Sequence, residues 1–275
     1  MENCDLHTHS TASDGTLTPE QLVTEACRAG ITTLALTDHD TTAGLKQAGA
    51  VAGKLDLRFI PGIEISTTWQ GRNFHIVGLN IDTECPSLQS IIAEIGIIRE
   101  RRAIEIGRSL DSYGIYHAHE GTLAIAGGAT ITRSHFARFL INEGYARNSR
   151  DAFKRFLVRN RPGDVRVTWP DLACSIKCIK DAGGTSVIAH PFSYNLTGSW
   201  MRKLLLEFKA SGGDGIEVIC GSSTPAEVRL ASGFAKKYGL AGSTGSDFHG
   251  DNHIWCKLGA QRNLPPDITP VWDTW

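Results

Sequence analysis

Two histidines, His7 and His9, stand one residue apart near the start of the chain, and Ser13-Asp14-Gly15 follows soon after. Further clusters are Thr37-Asp38-His39-Asp40, Gly62-Ile63-Glu64, Phe74-His75, Ala189-His190-Pro191 and Gly245-Ser246-Asp247-Phe248-His249. Each sits where a short β-branched or apolar run stops. Alternate residues of a strand share a face, so His7 and His9 can point to one place. Several strand ends that all deliver imidazoles and carboxylates describe one convergent site, and divalent metal ions are the economical reason for that residue mix. The nine residues His7, His9, Asp14, His39, Glu64, His75, His190, Asp247 and His249 are enough for two or three ions with shared carboxylate bridges. Imidazole and carboxylate donors without cysteine suit manganese, iron or zinc and argue against a structural zinc. A purely structural explanation would bury many ionisable groups near one another unpaired, which is costly.

The elements that must position these residues alternate between short strands and amphipathic helices, the pattern of β-α units around a mainly parallel sheet. Thr18-Pro19-Glu20-Gln21 is a helix start, with Thr18 as N-cap and Gln21 reaching back, and Thr224-Pro225-Ala226-Glu227 repeats it. The first helix is expected to stop at Gly30, with a strand following through Thr33-Leu34-Ala35-Leu36. Further strands are predicted at Phe59-Ile60, Phe74–Leu79, Ser186–Ala189, Gly215–Val218 and Leu240–Ser243. Polar residues gathered at strand C-termini suggest a barrel or barrel-like α/β sheet with its site on that face. From about residue 90 to 166 the text becomes helical and arginine-rich, and reads as an insertion into a scaffold made of 1–89 and 167–275.

Bulk properties narrow the function. The chain has 275 residues, 41% hydrophobic and 21% charged, as expected of an ordinary globular protein. A formal charge of -1 speaks against a broad footprint for duplex DNA, though not against a local basic pocket. No apolar run is long enough to span a bilayer, and the first residues do not read as a signal peptide, so no membrane association and a cytoplasmic location are expected. Seven scattered cysteines with no C-x-x-C pair fit reduced thiols. No obligate protein partner is inferred.

These segments resemble the polymerase and histidinol phosphatase (PHP) family. Its motifs stand here as His7-Thr8-His9 with Ser13-Asp14-Gly15, then Leu36-Thr37-Asp38-His39-Asp40, Ala189-His190-Pro191 and Gly245-Ser246-Asp247-Phe248-His249. Glu64 and His75 match the remaining ligand positions. The resemblance implies a distorted (β/α)7 barrel with a trinuclear site and manganese as the metal. By that resemblance His7, His9, Glu64 and Asp247 hold one ion, and Glu64 bridges to a second held with His75 and His190. Asp14, His39 and His249 then take a third. Asp38 and Asp40 flank a ligand and either orient His39 or cap a loop. His117 and His119 imitate the H-x-H pattern without a following S-D-G and read as surface or structural residues, while His135 and His253 lie near the site segments.

Clustered divalent ions suit phosphoester hydrolysis by a bridging hydroxide. Asp247, His249 and His190 are the catalytic candidates. Arginine in the insertion would grip the rest of an anionic substrate, since its fork donates two parallel hydrogen bonds to phosphate. Arg133 is the first candidate and Arg159 the second, with Ser134 and Tyr194 beside them. The Ser134-His135-Phe136-Ala137-Arg138 segment and His190-Pro191-Phe192-Ser193-Tyr194 resemble the subgroup of nucleoside 3',5'-bisphosphate phosphatases that also trim RNA from the 5' end. That subgroup usually carries a basic residue where this chain has Ser193. The resemblance implies removal of a 3'-phosphate from nucleoside 3',5'-bisphosphates, or stepwise 5'-3' shortening of short 5'-phosphorylated RNA. Competing readings are a small-molecule phosphatase of the histidinol-phosphate kind, a polymerase proofreading module and a non-catalytic nucleotide- or RNA-binding module.

Overall fold

A computed structural model describes residues 3–221, 223–250 and 256–275. His253 lies outside the described residues. Seven strands form one sheet in sequence order: β1 (Cys4–Asp5), β2 (Thr33–Leu36), β3 (Arg58–Trp69), β4 (Arg72–Leu79), β5 (Thr185–Ile188), β6 (Gly215–Cys220) and β7 (Ala241–Gly245). The sheet curls until its edges meet. Leu6 N donates to Thr244 O at 3.0 Å, Asp247 N to His7 O at 2.8 Å and His9 N to Phe248 O at 2.9 Å. The result is a nearly closed barrel. Its distortion is β4, which runs antiparallel to both neighbours while the other pairs are parallel.

The reversal of β4 follows from the chain. Gln70 and Gly71 both take positive φ (50° and 69°), the geometry of a two-residue hairpin that returns β3 directly on itself. β3 is much longer than its sequence pattern suggests, because Pro61 and Gly62 interrupt the apolar run. Pro61 sits opposite Leu36 and its carbonyl still accepts from Ile81, so the strand continues through it.

The expected helix starts are present. Thr18 Oγ1 accepts from Gln21 N at 3.2 Å while Gln21 Oε1 accepts from Thr18 N at 2.9 Å, opening α1 (Pro19–Arg28). Thr224 and Glu227 repeat the exchange ahead of α9 (Pro225–Tyr238). With α2 (Leu45–Lys54), α7 (Leu172–Asp181) and α8 (Gly198–Ala210), these helices cover the barrel. Leu34, Leu36, Ile76 and Ile188 pack outward against them, whereas Ala35, Val77 and Val187 fill the interior with Leu6 and Ile60. Adjacent residues of one strand thus serve opposite faces.

Between β4 and β5 the chain is helical: α3 (Pro86–Ser112), α4 (Ala118–Ala126), α5 (Arg133–Asn142), α6 (Ser149–Ala152) and a π turn (Phe153–Leu157). α3 belongs to two cores. Leu88, Ile91 and Ile95 pack with the barrel, while Ala103, Ile106 and Leu110 pack with Phe136, Phe139, Leu140 and Phe156. The handover falls at Arg99. No described helix is long and apolar enough to cross a membrane, and no disulfide forms among the described residues.

Candidate metal centre

Strand register explains the convergence. Glu64 lies between Ile63 and Ile65, both turned to the outer core, so its carboxylate must point inward. His39 pairs with Glu64 by an isolated bridge at the end of β2, and Thr8 pairs with Phe248 where the barrel closes. Three non-glycine residues in these segments take left-handed backbone: Asp40 (φ 52°), His190 (φ 28°) and Asp247 (φ 56°). Such conformations carry a cost of about 1 kcal/mol or more each, and they cluster where a site dictates side-chain direction.

Glu64 is the hub. Its Oε1 lies 2.9 Å from His75 Nδ1 and 2.9 Å from His190 Nε2. Its Oε2 lies 2.8 Å from His39 Nδ1 and 3.3 Å from both His7 Nε2 and His9 Nε2. Asp247 Oδ1 stands 3.5 Å from His7 Nε2 and 3.4 Å from His9 Nε2. Asp14 Oδ1 is 3.3 Å from His249 Nε2 and 3.9 Å from His39 Nε2. All nine sequence-selected residues are therefore joined into one network. Among the described residues, three subsets have donor atoms mutually within 4.8 Å: His9-Asp14-His39-His249, His7-His9-Glu64 and His39-Glu64-His75.

The donor set fits cations better than internal hydrogen bonding. His7 Nε2 meets His9 Nε2 at 3.1 Å, and His75 Nδ1 meets His190 Nε2 at 3.3 Å. Two nitrogens bound at about 2.1 Å and near right angles to one ion would sit about 3 Å apart. Asp14 Oδ1, Glu64 Oε2, His9 Nδ1 and His39 Nδ1 are buried and have no hydrogen-bond partner. His39 Nδ1 and Glu64 Oε2 approach closely without hydrogen-bond geometry. Buried polar atoms normally have partners, so buried donor atoms left open within one cluster are what several divalent ions would need.

Electrostatics agree with a densely charged centre. Burial works against the Glu64 carboxylate, yet His75, His39 and His7 hold it well below the usual range. Asp14 is likewise held low, against its burial, by His249 and His39. Burial pushes His39 down to about 4, with Glu64 and Asp14 opposing. Burial would lower His249 too, but Asp14 and Asp247 bring it up to about 10.

Sequence reasoning missed Glu217. It is buried in β6, where Oε1 lies 2.6 Å from His7 Nδ1 and Oε2 accepts from His190 N. A lone acid inside the apolar run Gly215-Ile216-Glu217-Val218 was the available signal. Asp38 and Asp40 act on loops and not on the His39 ring. Asp38 accepts from Ser10 N at 2.8 Å, Ser10 Oγ at 2.6 Å and Ser13 Oγ at 2.6 Å, which shapes the loop carrying Asp14. Asp40 accepts from Ser66 N at 2.6 Å and from Arg99 Nε at 2.7 Å, which ties α3 to the loop after β2.

The other candidates separate. Ser134 lines a cavity of about 600 Å³ with Asp14, Arg138, Ile141, Arg147, Phe153, Asp247 and His249. Arg133 faces a narrow cleft beside Arg99 and Arg102, its guanidinium over the Phe153 ring. Burial and those neighbours push Arg102 down to about 9. Arg159 is exposed after the π turn. Tyr194 Oη accepts from His75 N at 2.9 Å, so it steadies a strand of the centre. His135 is buried in the first turn of α5, where Nδ1 accepts from Thr132 N at 3.1 Å, and Thr132 Oγ1 donates to Asp14 Oδ2 at 2.8 Å. His117 is exposed at the turn before α4, and His119 packs beside Gly107.

Comparison with known proteins gives consistent findings. Residues 5–157 match the PHP domain family model. The chain is 44% identical over 269 residues to a 5'-3' exoribonuclease of Haemophilus influenzae, covering 98% of this chain and 97% of that one. It is 38% identical over 273 residues to a 3',5'-nucleoside bisphosphate phosphatase of Chromobacterium violaceum, covering 99% and 96%. Among solved structures, one from Bifidobacterium adolescentis described as a metal-dependent phosphoesterase superposes with a TM-score of 0.83 at 27% identity, covering 98% and 93%.

Proposed function

The chain belongs to the PHP domain family, and from that premise we propose that it is a metal-dependent phosphoesterase acting on 5'-phosphorylated nucleotides. Its substrates are nucleoside 3',5'-bisphosphates, which lose the 3'-phosphate, and short 5'-phosphorylated RNA, which is shortened from the 5' end. The observation that carries this reading is the linked network of nine imidazoles and carboxylates with buried atoms left unpartnered. The names of the two relatives above supply the substrate class.

Divalent ions held by His7, His9, Asp14, His39, Glu64, His75, His190, Asp247 and His249, manganese being our choice over iron or zinc, would lower the pKa of a water toward ~7 and polarise the phosphoryl oxygens. Glu64 would help hold more than one of these ions, since both its oxygens are in contact with imidazoles. Asp247 and His249 border the 600 Å³ cavity, which supports giving them the transfer of a proton to the departing O3'. The helices of residues 90–166 form the substrate-binding subdomain on the barrel of 1–89 and 167–275. Ser134, Arg138 and Arg147 offer hydrogen bonds and positive charge within the cavity, and Phe153 and Ile141 offer apolar surface to a base. Arg133, at the start of α5, faces the narrow cleft beside Arg99 and Arg102, and Arg159 is exposed after the π turn. We place the enzyme in the cytoplasm, acting on single strands and mononucleotides without an obligate partner.

The test is phosphate release with manganese from adenosine 3',5'-bisphosphate, AMP and histidinol phosphate, with AMP release followed from a 5'-phosphorylated RNA pentamer. Turnover of the bisphosphate or the RNA is expected. Activity confined to histidinol phosphate would overturn the nucleotide assignment while sparing the metal chemistry. His9→Ala and Asp247→Ala are expected to abolish turnover and lower bound metal, and an Asp247→Ala enzyme with full activity would refute the site as drawn.

A further inference from the structure

Asp247 borders two cavities. One is the 600 Å³ cavity under the insertion, which has Arg138 and Arg147 in its lining. The other, of about 310 Å³, lies between the loops after β5 and β6, where His190, Phe192, Ser193, Cys220, Ser223 and Glu227 line it. Cys256 also lines both. The two differ in charge: among the described residues no lysine or arginine lines the second cavity, and Glu227 does. The first suits the doubly charged 5'-phosphate end. The second suits a group that brings no terminal phosphate.

We propose that the second cavity is the subsite for the nucleoside on the 3' side of the scissile phosphate of RNA. This deepens the function proposed above and rests on it. The reaction chemistry calls for such a place. Water oxygen joins phosphorus, the P–O3' bond breaks and the proton goes to O3', so the first nucleotide departs as a 5'-monophosphate. The next nucleoside stays attached to the phosphoryl group, now as a new 5'-phosphate end. With a bisphosphate the same bond breaks, inorganic phosphate forms and the second cavity is unused. One centre between two unlike cavities thus accommodates both substrates. Phe192, half-buried against the barrel core, supplies the stacking surface. Ser193 Oγ, 2.8 Å from His190 Nδ1, ties that loop to the centre. Stacking of a base on an aromatic ring contributes on the order of tenfold or more in affinity and tolerates any base.

The experiment compares kcat/KM, with manganese, for adenosine 3',5'-bisphosphate and for the 5'-phosphorylated dinucleotide pApA. Wild type, Phe192→Ala and Phe192→Leu are assayed, the leucine keeping apolar bulk in the core without a ring. The expected result for both variants is a loss on the dinucleotide about tenfold greater than on the bisphosphate, residing in KM. Equal losses on both substrates, or no loss on the dinucleotide, would overturn the subsite and leave the function standing. A wild-type enzyme inert on both substrates would overturn both.

Discussion

Glu217→Gln is the most informative single change, because it keeps shape while removing one acceptor and the negative charge beside His7. The Glu217 carboxylate accepts from His190 N with one oxygen and faces His7 Nδ1 at 2.6 Å with the other. An amide has one acceptor oxygen and one NH2 group. Whichever way the introduced amide is turned, its NH2 group faces one of those two N–H donors. Glu217 is 2% exposed, so water cannot substitute. A buried donor stranded in this way costs about 1–3 kcal/mol. Facing the NH2 group, His7 can relieve the clash only by moving its proton to Nε2, the nitrogen aimed at Glu64 and Asp247. Changes to such supporting partners typically cost about 10- to 100-fold in metal affinity. Titration of metal-stripped protein with manganese, read by calorimetry and by recovery of phosphatase activity, should show a loss within that range. Unchanged manganese affinity and activity in a folded Glu217→Gln protein would refute the argument that Glu217 sets the His7 tautomer.

Three more outcomes are expected. Arg99→Met strands the buried Asp40 carboxylate, which keeps only its Ser66 contacts; uncompensated buried charge costs about 3–5 kcal/mol, and Asp40→Asn added to it should restore part of the loss in urea unfolding. Burial pushes His135 down to about 4 from its ordinary 6.5. Its contribution is therefore complete above pH 6.5 and disappears as pH falls toward 4, up to about 3 kcal/mol. His135→Gln can keep an acceptor for Thr132 N, so its stability should fall less steeply across that window, and parallel curves would dismiss the assignment. Tyr194→Phe leaves His75 N without its acceptor and should cost about 1–2 kcal/mol in thermal or denaturant unfolding.

The sequence was most informative where chemistry demands particular residue types at particular places. His7-x-His9, the Ser13-Asp14-Gly15 turn and Gly245-Ser246-Asp247-Phe248-His249 could be read as site segments because metal donors are few and strand ends are abrupt. The helix starts at Thr18 and Thr224 were legible because capping is local, using residues three apart. The full length of β3 was not legible, because Pro61-Gly62 looks like a break and only the pairing with β2 and β4 carries the strand through.

What tertiary structure alone decided are the long-range pairings. Nothing near Glu217 in the chain announces that it will meet His7, 210 residues away, because that contact exists only once the barrel closes. Asp38 and Asp40 flank His39 and in sequence either orient it or cap a loop; in the fold their oxygens serve Ser10, Ser13, Ser66 and Arg99. The arginine-rich text announced positive charge but not its direction: α5 turns Arg138 toward the large cavity and Arg133 toward a narrow cleft. Residue type is a local property and can be read locally. Which donor meets which acceptor across the barrel depends on the register of seven strands and the packing of one long helix into two cores.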